Sequence, residues 1–107
     1  MQVQGFFAAA VEAGIRYAGR LDLAMIYSQT PAVAAGVFTT NKVKAAPVLL
    51  DQERLRSGQA QAVLVNSGNA NACTGQEGLN LAMATSDLAA QQLGIDPALV
   101  QVASTGV

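Results

Sequence analysis

The chain has 107 residues, so it forms one domain at most, and its formal net charge of −1 excludes the strong positive field that nucleic-acid binding needs. It has no histidine and a single cysteine, which excludes Ser–His and Cys–His nucleophile pairs, Cys/His zinc sites and internal disulfides, and no apolar run approaches the roughly 18 residues of a membrane span. Only 12 % of the residues are charged, against about 25 % in a typical soluble domain, so we expect other protein to cover part of the surface and the isolated chain to dissolve poorly.

The amino-terminal third predicts two short strands. Residues 6–18 show neither a helical nor a strand period, and we expect them to be irregular. Residues 23–27 form a short apolar run that predicts a buried strand. Residues 33–39 predict a second strand, which follows closely enough after a turn at Pro31 to form a hairpin.

The middle of the chain predicts two further strands. We expect Pro47 to begin one of them over residues 48–50, since proline is tolerated at the first position of a strand or on an edge. Residues 51–57 are polar and predict a helical turn that Gly58 ends. Residues 62–65 are the clearest strand, and their unbroken apolar run predicts burial on both faces.

A loop over residues 66–73, which contains glycine and three asparagines, leads into the best helix. Thr74 and Glu77 have the spacing of a capping box, and Gly94 fits the left-handed residue that ends a helix. Apolar residues recur on two flanks, so we expect the helix to be covered on more than one side. These residues are Leu79, Met83, Ala90 and Leu93 on one flank and Leu81 and Leu88 on the other.

The last segment predicts one turn and one strand. Asp96 and Pro97 fit an N-cap followed by proline at the first helical position. Residues 100–103 predict a short strand, after which the polar segment Ser104-Thr105-Gly106 follows.

Three polar segments are candidates for function. Residues 39–41 (Thr-Thr-Asn) lie at a predicted strand end, where ligands often bind but ordinary turns are also common. Residues 66–73 can hold an anion at the helix N-terminus, or their Asn side chains can satisfy backbone groups within a tight loop. The Thr105 hydroxyl and the Gly106 N–H can donate to one oxygen atom, as in an oxyanion hole, although a strand end followed by a turn explains the same residues. Cys73 has no base beside it, and we expect it to be a small packed residue.

These segments together resemble those of the bacterial ornithine acetyltransferase family of arginine biosynthesis. The resemblance covers the run AAGVFTTN at residues 34–41, VNSGNANACTG at residues 65–75 and VASTGV at residues 102–107. The run GRLDLA at residues 19–24 also fits, and the order and distances agree over nearly the whole chain.

The resemblance implies an α/β (mixed α+β) fold with sheets flanked by helices, as part of a helix–sheet–sheet–helix sandwich. Residues 1–107 would then be the amino-terminal portion of the first chain of an acetyltransferase, an incomplete single domain. The implied reaction moves an acetyl group from N-acetylornithine to glutamate through an acetyl-threonine intermediate. The nucleophile is the N-terminal Thr of a second chain that self-cleavage releases, and Thr105 and Gly106 form the oxyanion hole.

The implied partners are the two substrates and the second chain, in a heterotetramer of two chain types, with no nucleic acid and no membrane. No metal or cofactor is implied, although some family members accept acetyl-CoA as acetyl donor. The single cysteine fits a cytoplasmic location. Because the nucleophile and the groups that bind the carboxylate and amino ends of the substrate come after Val107 in the family, we expect residues 1–107 alone to be inactive. A small-molecule-binding module without catalysis and a related self-cleaving aminopeptidase or amidase are the alternatives.

Overall fold

One four-stranded sheet forms the centre of the structure, a computed structural model that describes residues 2–107. Its strands lie in the order β1-β2-β3-β4, and they are β1 (Phe6–Val11), β2 (Leu23–Val33), β3 (Gln59–Gly68) and β4 (Val100–Gly106). The first three strands pair antiparallel, whereas β3 and β4 pair parallel. A parallel pair needs a crossover connection, and the long helix α2 (Gly75–Leu93) supplies it.

A second, shorter helix precedes β3 in the chain. This helix is α1 (Ala46–Arg54), and a 3-10 turn at Leu55–Ser57 follows it. Another 3-10 turn at Pro97–Leu99 leads into β4.

The predicted mixed α+β class is confirmed. The described residues contain one sheet, so the second sheet of the sandwich stays a prediction.

Small apolar side chains join both helices to one face of the sheet. Alanine is the most frequent residue in these contacts, and its small side chain lets the helix backbones approach the strands closely. One buried cluster contains Ala46, Leu50, Ala82 and Val102, and the other contains Ala62, Ala89, Ala90 and Val100.

Helix α1 also closes the free edge of β4. The Asp51 carboxylate accepts a hydrogen bond from the Val102 N–H at 2.9 Å, and the Arg54 guanidinium donates to the Val100 carbonyl at 2.9 Å. The same guanidinium lies 3.4 Å from the Asp87 carboxylate of α2. Two side chains of α1 thus take the place of a fifth strand, which leaves these edge groups unavailable for pairing with another chain.

Most of the strong predictions are confirmed. The strands predicted over residues 23–27, 62–65 and 100–103 all exist, and each continues beyond its predicted end. Gly94 ends α2 with a φ of +69°, in the left-handed region. The Asp96 carboxylate caps the following turn by accepting from the Ala98 N–H at 2.9 Å.

The prediction that residues 6–18 are irregular is wrong for Phe6–Val11. This segment is β1, paired antiparallel with β2 from Phe6 opposite Ser28 to Val11 opposite Leu23. Alanine occupies three of its six positions and is apolar on both faces of a strand, so no alternation of apolar and polar residues marks it. Backbone pairing to β2 therefore creates a strand that the side-chain pattern does not indicate.

The strand and hairpin predicted over residues 33–39 are also wrong. β2 ends at Val33, and residues 34–41 form no regular element. Because β1 and β3 already occupy both edges of β2, no edge is left for a further strand beside it. Val37 is fully exposed as a result.

Pro47 begins a helix and not the strand predicted over residues 48–50. It lies in the first turn of α1, where its missing N–H needs no partner and its fixed φ suits the helix. The helical turn predicted from residue 51 is the second half of this helix, and Gly58 ends the segment in the left-handed region at φ +72°.

Large apolar side chains remain on the surface. Leu81 and Leu88 of α2 are 59 % and 60 % exposed, so the prediction that both flanks of this helix are covered is wrong for the described residues. Ile26 is 52 % exposed and lies on the sheet face turned away from the helices, since its neighbours Met25 and Tyr27 pack against the helix side. None of the helices in the described part of the chain combines the length and apolar character needed to cross a bilayer.

The edge contact made by Asp51 predicts a pH-dependent stability. Burial raises the pKa of Asp51 from 3.8 to about 6, against the opposing effects of the Val102 N–H and of Arg54. The folded state therefore holds a proton that the unfolded state releases, and its stability falls as pH rises from about 4 through 6.

We expect Asp51→Asn, which keeps the acceptor oxygen, to gain about 1–2 kcal/mol in unfolding free energy over the parent between pH 4 and 7, after allowance for solvent screening. Urea titrations of both proteins at pH 4, 5.5 and 7 measure this difference. A stability difference between the two proteins that does not change with pH would contradict the raised pKa of Asp51 in the folded state.

Candidate functional site

Two of the candidate segments meet at the carboxyl ends of β3 and β4. The parallel register places Asn66 beside Ser104, Ser67 beside Thr105 and Gly68 beside Gly106. The Ser104 hydroxyl donates to the Asn66 side-chain oxygen at 2.5 Å, which ties the two strand ends together. The sheet thus joins the Asn-rich loop to the Ser-Thr-Gly segment, which is far from it in sequence.

Glycine is required where these two strand ends touch. Gly106 has a φ of +121°, which side chains rarely allow, and a Cβ atom there would lie 2.6 Å from the carbonyl carbon of Gly68. Gly68 has a φ of +105°, and its own Cβ atom would lie 3.1 Å from Cβ of Arg16. Three backbone segments therefore pack in direct contact at this point.

The Asn side chains of the loop bind backbone groups. Asn66 donates to the Asn69 carbonyl at 3.0 Å, and Asn71 donates to the Gly78 carbonyl in the first turn of α2 at 2.8 Å. The Asn71 carbonyl accepts the Ala46 N–H at 3.2 Å, which links the loop to the start of α1. These bonds favour the structural alternative for residues 66–73 over anion binding.

The start of α2 differs from the predicted capping box. Thr74 is the N-cap, but its hydroxyl bonds the Asn71 side chain and not a helix N–H. A Cβ atom on Gly78 would overlap the Thr74 hydroxyl, so this turn is tightly filled.

The prediction that Cys73 is packed is wrong, because this residue is exposed and has a φ of +57°. The left-handed turn at Cys73 directs its side chain to the surface.

Thr105 and Gly106 are consecutive and exposed at the end of β4. Among residues 2–107, no partner forms a hydrogen bond with the Thr105 hydroxyl. A free hydroxyl and an adjacent glycine N–H at a strand end can stabilise a developing oxyanion when both point at the same oxygen atom.

Two cavities flank this end of the sheet. One, of about 400 Å³, lies between α2 and the sheet and is lined partly by Asn66, Asn71, Thr74 and Ser104. The other, of about 150 Å³, is lined by backbone at Gly68 and Gly106 and by three side chains of the segment before β2, namely Arg16, Tyr17 and Arg20.

Asp22 holds that segment against the site. Its carboxylate accepts the N–H groups of Ala13 at 2.6 Å and Ile15 at 2.8 Å, and its carbonyl accepts the Ser67 N–H at 2.9 Å. The two N–H bonds to the carboxylate hold the pKa of Asp22 below its usual 3.8. Sequence reasoning did not single out this residue as part of the site, although it lies in the run GRLDLA at residues 19–24 that carries the family resemblance.

The third candidate segment, residues 39–41, forms local turns on the surface. The Thr39 hydroxyl accepts the Asn41 N–H at 3.1 Å, and the Asn41 side chain accepts the Val43 N–H at 3.0 Å. These bonds favour the ordinary-turn alternative.

Within residues 2–107, no three His, Cys, Asp or Glu side chains come together as metal ligands would.

Comparison with known proteins identifies the family. A family model described as the ArgJ family matches residues 7–107. The chain belongs to the ArgJ family. It is 59 % identical over 107 residues to the arginine biosynthesis bifunctional protein ArgJ of Geobacter sulfurreducens and 58 % identical to that of Desulfotalea psychrophila.

Solved ArgJ structures share this fold. An ArgJ structure from Bacillus halodurans superposes with a TM-score of 0.92 at 43 % identity, covering 97 % of this chain and 55 % of that one. The ornithine acetyltransferase of Mycobacterium tuberculosis, solved in complex with ornithine, gives 0.93 at 47 % identity, covering 97 % of this chain and 57 % of that one. The chain covers 27 % of the length of the two curated ArgJ relatives, so it spans about a quarter of them.

The close contact between Gly106 and the Gly68 backbone predicts that alanine destabilises this ArgJ-family chain more at position 106 than at position 58. Gly58 is left-handed, and a Cβ atom added there would have no neighbouring atom within 4 Å, whereas one on Gly106 would meet the Gly68 backbone. We expect Gly58→Ala to cost about 1–2 kcal/mol of unfolding free energy through backbone strain alone. Gly106→Ala should cost about 1–3 kcal/mol more, because strand β4 must move away from β3. Equal costs in urea titrations would contradict this contact.

Proposed function

We propose that the chain is the amino-terminal part of the first chain of an acetyltransferase that moves an acetyl group from N-acetylornithine to glutamate in arginine biosynthesis. The observation that carries this proposal is the match to ArgJ proteins along the whole chain, including the ornithine-bound structure from Mycobacterium tuberculosis. The pairing of Thr105 and Gly106 with the Asn66 loop supports a role for this strand end in the reaction.

The proposed chemistry is a double displacement. The hydroxyl of a threonine outside residues 1–107 attacks the acetyl carbonyl of N-acetylornithine, the C–N bond breaks, and the amine leaves as ornithine after taking a proton. The amine of glutamate then attacks the acetyl-threonine ester, the C–O bond breaks, and the threonine hydroxyl recovers its proton. The amino group of that N-terminal threonine acts as base, so the absence of histidine is no obstacle.

Thr105 and Gly106 take the role of oxyanion donors in this scheme. Each tetrahedral intermediate carries a negative oxygen, which the Thr105 hydroxyl and the Gly106 N–H stabilise. Hydrogen-bond donors fixed before the reaction stabilise that charge without reorganising as it forms. The close packing of Gly106 against the Gly68 backbone supports such a fixed position for the N–H.

The remaining parts of the enzyme lie outside this chain in our proposal. The second chain, which carries the nucleophile after self-cleavage, pairs with the first in a heterotetramer in the cytoplasm. No metal or cofactor is needed, and acetyl-CoA is a second acetyl donor for some family members. The exposed Leu81 and Leu88 supply apolar surface that further protein can cover.

We expect the purified 107-residue chain to release no ornithine from N-acetylornithine, because it lacks the proposed nucleophile. A colorimetric ornithine assay measures this, with a family-length protein that contains the chain as the positive control. Clear turnover by the 107-residue chain alone would contradict the proposal that the nucleophile lies outside residues 1–107.

We expect Thr105→Ala in the family-length protein to lower kcat by about 10²–10³-fold with little change in KM, because one oxyanion donor is lost. Thr105→Ser keeps a hydroxyl and should keep most of the rate. Circular dichroism and thermal melting check that both variants fold. An unchanged kcat in a folded Thr105→Ala variant would remove the oxyanion role.

A further inference from the structure

The side-chain amide of Asn66 bridges the end of β4 to the loop that follows β3. Its oxygen accepts the Ser104 hydroxyl at 2.5 Å, and its nitrogen donates to the Asn69 carbonyl at 3.0 Å. A carbonyl can only accept, so the bond to Asn69 fixes which end of the amide faces Ser104. Both ends of this amide are therefore engaged with neighbouring groups of the protein.

These bonds enclose the proposed oxyanion donors. Ser104 directly precedes Thr105 in the chain, and Gly106 directly follows it. A Cβ atom on Gly106 would lie 2.8 Å from the Asn69 nitrogen, so Gly106 packs against the same loop residue whose carbonyl Asn66 binds. The contacts on both flanks of Thr105 therefore converge on Asn66.

Asn66 reaches the donors only through its neighbours. Asn66 and Ser104 line the cavity of about 400 Å³ between α2 and the sheet, on the helix side. Successive side chains of a strand point to opposite faces, so the Thr105 side chain points away from that cavity. An effect of Asn66 on the Thr105 hydroxyl must therefore pass through the position of the β4 backbone.

The carboxyl end of β4 depends on this bridge in addition to its pairing with β3. Helix α1 binds the outer edge of β4 no further along than Val102, whose N–H the Asp51 carboxylate accepts. Beyond Val102, the side-chain hydrogen bond that fixes β4 within residues 2–107 is the one between Ser104 and Asn66. Loss of this bond would free the segment that carries both donors.

We propose that Asn66 is a positioning residue that holds the Thr105 hydroxyl and the Gly106 N–H in the orientation that the oxyanion requires. Fixed donors stabilise a developing charge only where that charge appears, and a displacement of about 1 Å can cost roughly 10²-fold in rate. This inference rests on the proposed acetyltransferase function. It adds Asn66 and Ser104 to the residues on which the rate of acetyl transfer depends.

The first experiment measures kcat and KM of the family-length protein and of its Asn66→Ala variant. We expect kcat to fall by about 10–100-fold, because both bonds of the bridge are lost, while KM for each substrate changes by less than about threefold. The matched control is Asn80→Ala, which removes an exposed asparagine of α2 that bonds Gln76 and should change neither constant. Circular dichroism and thermal melting check that both variants fold.

The second experiment changes Ser104, which removes only one bond of the bridge. We expect Ser104→Ala to lower kcat by about 3–10-fold, whereas Ser104→Thr keeps a hydroxyl for the Asn66 oxygen and should retain at least about half of the parent kcat. Threonine also suits a strand, so this variant preserves β4. Because kcat is measured on folded protein below the melting temperature, a loss of stability alone would leave it unchanged.

A double-mutant cycle tests whether Asn66 acts through the oxyanion donors. We expect Asn66→Ala to lower kcat at least about threefold less in a Thr105→Ala background than in the parent, because one of the donors that it positions is already missing. Losses that simply multiply would show that Asn66 acts independently of Thr105 and would overturn the positioning role.

The kinetic constants separate this role from the proposed activity. A folded Asn66→Ala variant with the kcat of the parent, or with a change in KM alone, would overturn the positioning role and leave the acetyltransferase function standing. A parent protein that transfers no acetyl group would contradict the proposed function, and the role of Asn66 with it.

Discussion

The parallel pairing of β3 with β4 is the interaction on which the rest of the structure depends. It brings Asn66 and Ser104, 38 positions apart, into hydrogen-bond contact. Helix α2 is the crossover that this pairing requires, and α1 occupies the outer edge of β4 through Asp51 and Arg54. At its carboxyl end the pair closes so tightly that residue 106 must be glycine. A single register thus sets the fold and the position of the candidate site.

The structure shows where this chain, which has few charged residues, exposes apolar surface. Apolar side chains lie exposed on one flank of α2, at Leu88 and at Leu81, which borders the larger cavity, and on the sheet face turned away from the helices, at Ile26. The chain covers 27 % of its two curated ArgJ relatives, and the longer protein that we propose supplies further residues to cover such surfaces. Polar side chains and two arginines gather instead at the carboxyl ends of β3 and β4.

The sequence predicts those elements whose local signals agree with their tertiary setting. Residues 62–65 are apolar and central in the sheet, and Asp96 caps its turn through a contact with a neighbour in the chain. The signals fail at β1, where alanine conceals the strand period, and at Pro47, which suits a strand edge and a first helical turn equally.

The candidate site is likewise only partly predictable from the sequence. A short motif and a family resemblance point to Thr105 and Gly106, and their role as oxyanion donors stays a prediction. The positions of Asp22 and Arg16 beside Ser67 and Gly68 are not predictable from the sequence, because the pairing of distant strands creates these contacts. Spacing along the chain cannot indicate contacts between segments so far apart.

The central claim is that the end of β4 binds the oxygen that becomes negative during acetyl transfer. A crystal structure of the family-length protein trapped as its acetyl-enzyme tests this claim most directly. Our account predicts the acetyl carbonyl oxygen within about 2.7–3.1 Å of both the Thr105 hydroxyl and the Gly106 nitrogen. An acetyl oxygen bound by other groups, with Thr105 and Gly106 beyond hydrogen-bond distance, would contradict it.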